Sequence, residues 1–181
     1  MRVRHATPDD AGAIERVRTD TWRHAYRRLL PDAVLDRLGY DPSRRRTQME
    51  TMSADRFVLV AEQDTAVVGF CLGGPSRTPD PEYPGEVYAI YVLPAAQGRG
   101  IGRALLHAAA RELIARGLGG MLIWVLSSNA PSRAFYERMG GVFVRDEERE
   151  LEGIKIIESG YGWTDIAPLA RTQPAARGGA A

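Results

Sequence analysis

The stretch Glu86–Leu106, EVYAIYVLPAAQGRGIGRALL, decides how this chain is read. Its apolar run from Val87 to Leu93 ends at Pro94, as a strand does when it meets a residue with no ladder donor. A short turn leads into a loop carrying Gly98, Gly100 and Gly102, and an amphipathic stretch then runs without a breaker to Gly117. Strand, glycine loop and helix start, in that order, aim unpaired backbone N–H groups and the positive end of a helix dipole at one spot. The usual occupant of such a spot is an anion, most often a phosphate.

The common phosphate loops do not fit. A nucleotide-triphosphate loop needs a lysine and a hydroxyl after its last glycine, and here Arg103 and Ala104 follow Gly102. The dinucleotide fingerprint needs a third glycine where Arg103 stands. What is left is Q-x-x-G-x-G: Gln97, Gly100 and Gly102. A tight glycine turn that merely packs helix on strand is the plainer reading. In its context the loop resembles that of the GNAT superfamily of N-acetyltransferases, and the resemblance covers roughly residues 55 to 165. It implies an α/β fold (an α+β mixed sheet), splayed and flanked by helices on both sides, with acetyl-CoA as cosubstrate and no metal.

Outward from the loop, 181 residues suit one domain, expected over 1–166. From Ala167 the chain is Ala, Pro, Gly and Arg, so 167–181 is expected to be a disordered tail. A net charge of +1 on a mixed surface gives no nucleic-acid footprint. No apolar run approaches the ~18 residues of a membrane span, and MRVRH lacks a signal-peptide core, so a cytoplasmic protein is expected. Cys71 is the only cysteine and lies in an apolar run.

Thr7-Pro8-Asp9-Asp10 reads as a capping box opening a helix with Ile14, Val17, Thr21, Ala25 and Leu29 on one face, ended by Pro31. Short helices are expected from Asp32 to Leu38 and from Ser43 to Met52. The latter carries Arg44-Arg45-Arg46, a solvated face first and a contact for an acidic group second. Phe57–Ala61 and Val67–Leu72 read as a hairpin. Residues 73–85 form a proline-rich loop that can supply one lip of an acceptor site, with Tyr83 facing in, or be plain surface. His107 is expected on the surface of the helix after Gly102. Met121–Leu126 reads as a buried strand, Ala130–Met139 as a helix, and Val142–Leu151 with Ile154–Trp163 as an acidic strand pair with a solvated edge.

Each part of the expected donor has a matching group. The N–H groups of Gly98, Arg99, Gly100, Ile101, Gly102 and Arg103 suit a pyrophosphate, and Arg99 and Arg103 can add charge-assisted bonds. The resemblance implies that the edge of Ile90, Tyr91 and Val92 pairs with the pantetheine amides, that Gln97, Asn129 and Ser132 border the arm, and that an N–H near Val92 faces the thioester oxygen. Asn129 is also a helix cap, whatever else it does. Tyr136, seven residues on, shares its side of the helix. By resemblance Tyr136 protonates the leaving thiolate, a role the motif spacing favours; a core aromatic beside Phe135 is the other reading. Glu86 opens the strand and matches the position at which some family members carry a general base. A strand-end carboxylate in solvent is the other reading of Glu86, and a bound water can take the base's place. Trp22 and Tyr26, four apart on the first helix, border the acceptor cleft by resemblance, and packing on the sheet explains them as well. The expected activity is transfer of an acetyl group to a primary amine of a small molecule. The alternatives are a protein N-terminal or lysine acetyltransferase, and an acyl-CoA sensor that catalyses nothing. A homodimer is a family-level expectation.

Overall fold

The computed structural model describes residues 1–27, 39–151 and 153–171. The expected helix from Asp32 to Leu38 lies outside them, as does the chain beyond Arg171. Seven strands form one sheet: β1 Arg2–His5, β2 Phe57–Gln63, β3 Ala66–Pro75, β4 Gly85–Val92, β5 Met121–Leu126, β6 Val142–Leu151 and β7 Ile154–Trp163. Their order is β1-β2-β3-β4-β5-β7-β6, antiparallel except for the parallel pair β4–β5. The β2–β3 hairpin turns through Asp64 and Thr65, both with positive φ, the conformation that a two-residue turn matching the strand twist requires.

Helices cover both faces. On one, α1 (Ala11–Tyr26) buries Ile14 and Val17 against Val58, Val60 and Phe70, with Met49 of α2 (Pro42–Glu50) and the following Met52 half-buried beside them. On the other, α3 (Ile101–Ala115), α4 (Ala130–Arg138) and α5 (Ala167–Arg171) close a larger core around Leu105, Leu106, Leu113, Ile123 and Tyr161. The apolar spacing expected from the sequence is the spacing that packs: Leu106, Ala109, Ala110 and Leu113 are all buried.

Two expectations change. The chain does not lose order at Ala167: α5 docks there, with Ile166 and Leu169 buried, because these two apolar residues find a seat beside α3. That docking also buries His107, whose Nδ1–H donates to the Leu169 carbonyl at 2.6 Å. In the arginine triplet of α2, Arg44 and Arg46 are exposed, as a solvated face requires. Arg45 reaches the buried Glu15 at 3.1 Å and Arg46 reaches Asp9 at 2.9 Å.

Two irregularities in β4 prepare the site. The first is a bulge: Leu72 pairs with Ala89 and Gly73 with Val87, so Tyr88 is the extra residue and strand parity inverts across it. Val87 therefore shares the α3 face with Ile90 and Val92, while Ala89 and Tyr91 turn toward α1. The second is a splay. β4 pairs with β5 only over Gly85–Val87, against Met121–Ile123, and from Tyr88 onward the two strands part.

Candidate active site

The gap left by the splay is a cavity of about 910 Å³. It is walled by Thr21, Trp22 and Tyr26 of α1, Tyr88–Tyr91 of β4, Ile123–Leu126 of β5, and Asn129, Ser132 and Tyr136 at the start of α4. Arg149, Leu151, Ile156 and Glu158 of the β6–β7 ribbon and Arg77 of the 76–84 loop complete it. A space of this size suits a drug-sized ligand.

The glycine loop follows directly on the wall residue Gln97. Gly98 and Gly100 have φ of +73° and +79°, a left-handed conformation that costs an L-residue about 1–2 kcal/mol. No atom lies within 4 Å of where a Cβ would stand on either, so these glycines serve backbone shape and leave the space above the loop open. Gly100 precedes Ile101, the first residue of α3, whose opening N–H groups have no partner within the helix. Arg99 and Arg103 are exposed, and among the described residues neither reaches a carboxylate within ion-pair distance. An open, positively polarised cradle with two uncommitted guanidiniums fits a pyrophosphate. Gln97 ties the loop to the strand: its Nε2 donates to the Val92 carbonyl at 3.0 Å, and Thr21 Oγ1 donates to the same oxygen at 3.2 Å.

The unpaired stretch Ile90–Val92 borders the gap as an open strand edge, the form that accepts an extended polar chain. Opposite it, Asn129 caps α4 by accepting from the Ser132 N–H at 3.3 Å. Arg133 fixes that helix start. It donates to the Ser127 carbonyl at 3.0 Å and to the Tyr161 hydroxyl at 3.0 Å, which in turn donates to Glu137 at 2.8 Å. Tyr136 is 5% exposed, packed edge-on to Phe135 and Trp163. Burial first, and the neighbouring hydroxyls of Tyr26 and Tyr91 second, push its hydroxyl well above the usual range, so it holds its proton at neutral pH.

At the far end the wall is aromatic and apolar. Trp22 and Tyr26 meet edge to face at 4.8 Å between centroids, and with Leu126, Leu151, Ile154 and Ile156 they form a small separate core. Trp124 lies beneath two cations, Arg149 at 4.7 Å and Arg145 at 5.3 Å from its ring centre.

The structure thus gathers Trp22, Tyr26, Ile90, Tyr91, Gln97, Asn129, Ser132 and Tyr136 around one space. Val92 and the 98–103 loop adjoin Gln97 outside that lining, and two further expected site residues are turned away from it. Glu86 is 2% exposed and does not line the cavity. One of its oxygens accepts from the Arg77 N–H at 2.9 Å and the other from the Arg77 side chain, Nε at 2.8 Å and a terminal nitrogen still closer. The bulge at Tyr88 is the reason, since it breaks the regular strand parity that would carry Glu86 onto the face of Ile90. Glu86 instead anchors the loop that brings Arg77 to the cavity. Tyr83 likewise faces the sheet and not the acceptor. Its ring sits on Gly162, where a Cβ would come within 2.4 Å of Cε1, so it is buried packing.

The sequence reading missed Arg77, Trp124, Arg149 and Glu158. For Glu158 a signal existed: alternation along β7 puts Ile154, Ile156 and Glu158 on one face, a carboxylate in line with half-buried isoleucines. Cys71 is fully buried with its thiol pushed up by desolvation, so it is no nucleophile. Among the described residues no group of three or more His, Cys, Asp or Glu is gathered for a metal, and no helix is long and apolar enough to cross a membrane.

Comparison with known proteins agrees with this geometry. The model of the Acetyltransferase (GNAT) family matches residues 14–141. The uncharacterised N-acetyltransferase YuaI of Bacillus subtilis is 34% identical over 170 residues, 93% of this chain and 96% of its own. Among solved structures, a ribosomal-protein-alanine N-acetyltransferase from Brucella melitensis superposes with a TM-score of 0.70 at 24% identity, over 90% of this chain and 99% of that one. yncA of Salmonella typhimurium, assigned as an acetyltransferase and solved with its cofactor acetyl-CoA, superposes with a TM-score of 0.68 at 26% identity, over 90% and 92%. The chain belongs to the GNAT family of acetyltransferases, with acetyl-CoA as its acyl donor.

Proposed function

We propose that this acetyltransferase acts on the primary amine of a small molecule, by direct attack without an acyl-enzyme. One observation carries the reading: the Ile90–Tyr91 edge, Gln97 at the foot of the glycine loop, Asn129, Ser132 and an aromatic, apolar wall border a single cavity of about 910 Å³. A donor arm lying along Ile90–Val92 leaves the remainder, bounded by Trp22, Tyr26 and the β6–β7 ribbon, for an acceptor of modest size.

In this reading the backbone of Gly98–Arg103, helped by Arg99 and Arg103, holds the pyrophosphate. The Ile90–Val92 edge pairs with the pantetheine amides, and Asn129 and Ser132 hold the arm from the other side. A backbone N–H near Val92 stabilises the developing oxyanion. Tyr136 donates its proton to the departing sulfur, a role its buried, protonated hydroxyl supports. Glu86 is a positioning residue for Arg77.

The experiment is a free-thiol assay of CoA release from acetyl-CoA, run with a panel of small primary amines and with peptides carrying free N-termini or lysines. Release with a small amine, absent with peptides, is expected. Release only with peptides would make the protein a protein acetyltransferase. Tight acetyl-CoA binding with no release from any amine would make it a sensor.

A further inference from the structure

The proposed reaction leaves the acceptor amine needing a base, and the carboxylate expected to serve is locked to Arg77. A second carboxylate faces the cavity. Glu158 sits in mid-β7, opposite Leu126 of β5 and Glu147 of β6, and its side chain lines the space together with Tyr26, Tyr91 and Tyr136. Its β7 face continues the apolar row of Ile154 and Ile156, and its side chain is 23% exposed, so it is buried enough to be tuned and open enough to touch a ligand. Resting on the acetyl-transfer reading above, we infer that Glu158 is the group that receives the acceptor's ammonium and takes its proton.

The surroundings fit that role. From β6, Arg149 Nε lies 3.1 Å from one Glu158 oxygen, while an Arg149 terminal nitrogen is held by Glu147 at 3.0 Å and its guanidinium lies over Trp124. Arg77 of the loop also acts on Glu158, but its side chain is committed to Glu86 of β4. Tyr26 of α1 and Tyr91 of β4 face it as neutral hydroxyls. Burial raises the Glu158 carboxyl above its ordinary value; Arg149 and Arg77 pull it back, and Glu86 and Glu147 push it up. A carboxylate raised by burial is a better base than a solvated one.

The protons balance. Glu158 takes one proton from the ammonium, and the freed nitrogen lone pair forms the N–C bond as the C–S bond breaks. Tyr136 gives its proton to the sulfur, and the second proton leaving the nitrogen restores Tyr136. Glu158 returns its proton to solvent, so amide and thiol form with one net proton released.

The test is the pH–rate profile of CoA release with an amine that the parent accepts. Glu158→Gln should lower turnover at neutral pH by roughly 10²-fold, the scale of a positioned base. The loss should shrink as pH rises and free amine accumulates, with acetyl-CoA affinity kept. Arg149→Gln, which leaves the carboxylate in place but removes a neighbouring cation, should move the acid limb of the profile to higher pH. That shift is a readout that packing alone would not produce, and it decides the matter if Glu158→Gln does not fold. A Glu158→Gln profile superimposable on the parent's, or an acid limb unmoved by Arg149→Gln, would overturn the inference while leaving the proposed function intact. No CoA release by the parent with any amine would overturn both.

Discussion

In the proposed reading the two ends of the site meet their ligands by different means. At the donor end the chain offers backbone: the Gly98–Gly102 loop, the first N–H groups of α3 and the open edge of β4. At the acceptor end it offers side chains, drawn from α1, the 76–84 loop, β5 and the β6–β7 ribbon. Backbone recognition needs only a local conformation, which a few consecutive residues specify through glycine and a helix start. Side-chain recognition needs residues far apart in sequence to converge. The donor end can therefore stay the same while the acceptor end changes, and one fold can serve many amines.

Substitutions can break this contrast at either end or at the point where the ends meet. The largest effect belongs to Tyr136, at the junction. Tyr136→Phe keeps the ring packed among Phe135, Tyr161 and Trp163 and deletes the proton donor. Steady-state kinetics should show kcat lower by roughly 10²-fold or more, with acetyl-CoA affinity nearly unchanged. Normal turnover would reduce Tyr136 to packing.

Next is the backbone end. Gly100→Val forces a β-branched residue into a left-handed conformation and crowds an open cradle. Calorimetry should find acetyl-CoA bound about tenfold or more weakly, a change of about 1.4 kcal/mol or more, with the amine KM little affected. Unchanged affinity would remove the loop from the site.

Glu86→Gln probes the side-chain end through its support. Arg77 is half exposed and can be rehydrated, so the cost falls on the buried amide left with a poorer partner, about 1–3 kcal/mol of stability in urea unfolding. The pH–rate profile should keep its acid limb, moved if anything to lower pH, because Glu86 does not face the cavity and acts on Glu158 only through its charge. A lost acid limb would return the role of base to Glu86. The smallest effect is expected for Arg99→Ala. An exposed guanidinium aids a pyrophosphate already held by backbone, so binding should weaken by less than about 1 kcal/mol and more at low salt than at high.

How far the sequence could be read follows the same division. Strands β5, β6 and β7 fall on the residues that alternation and length mark out, and α3 starts within a residue of its expected position, because these are local patterns backed by burial. The loop, the Asn129 cap and Tyr136 two turns later are local as well. The fate of Glu86 was legible only as a condition, since a regular strand puts it on the face of Ile90 and a bulge shifts that parity, and the bulge at Tyr88 is a property of how β3 and β4 pair. Tyr83 was misplaced because its seat is Gly162, far along the chain. α5 hides in an Ala/Pro composition, and only the docking of Ile166 and Leu169 beside α3 orders it. Glu158 was overlooked among the many acids of the ribbon, although its place in the row of isoleucines sets it apart.

The most direct test of two ends sharing one cavity is a crystal structure of the protein with bound CoA. The account predicts the pyrophosphate on the Gly98–Arg103 backbone and the arm in the gap between β4 and β5. It also predicts the sulfur within hydrogen-bonding reach of the Tyr136 hydroxyl, with Glu158 still open to the remaining space. A pantetheine lying outside that gap, or a sulfur turned away from Tyr136, would contradict it.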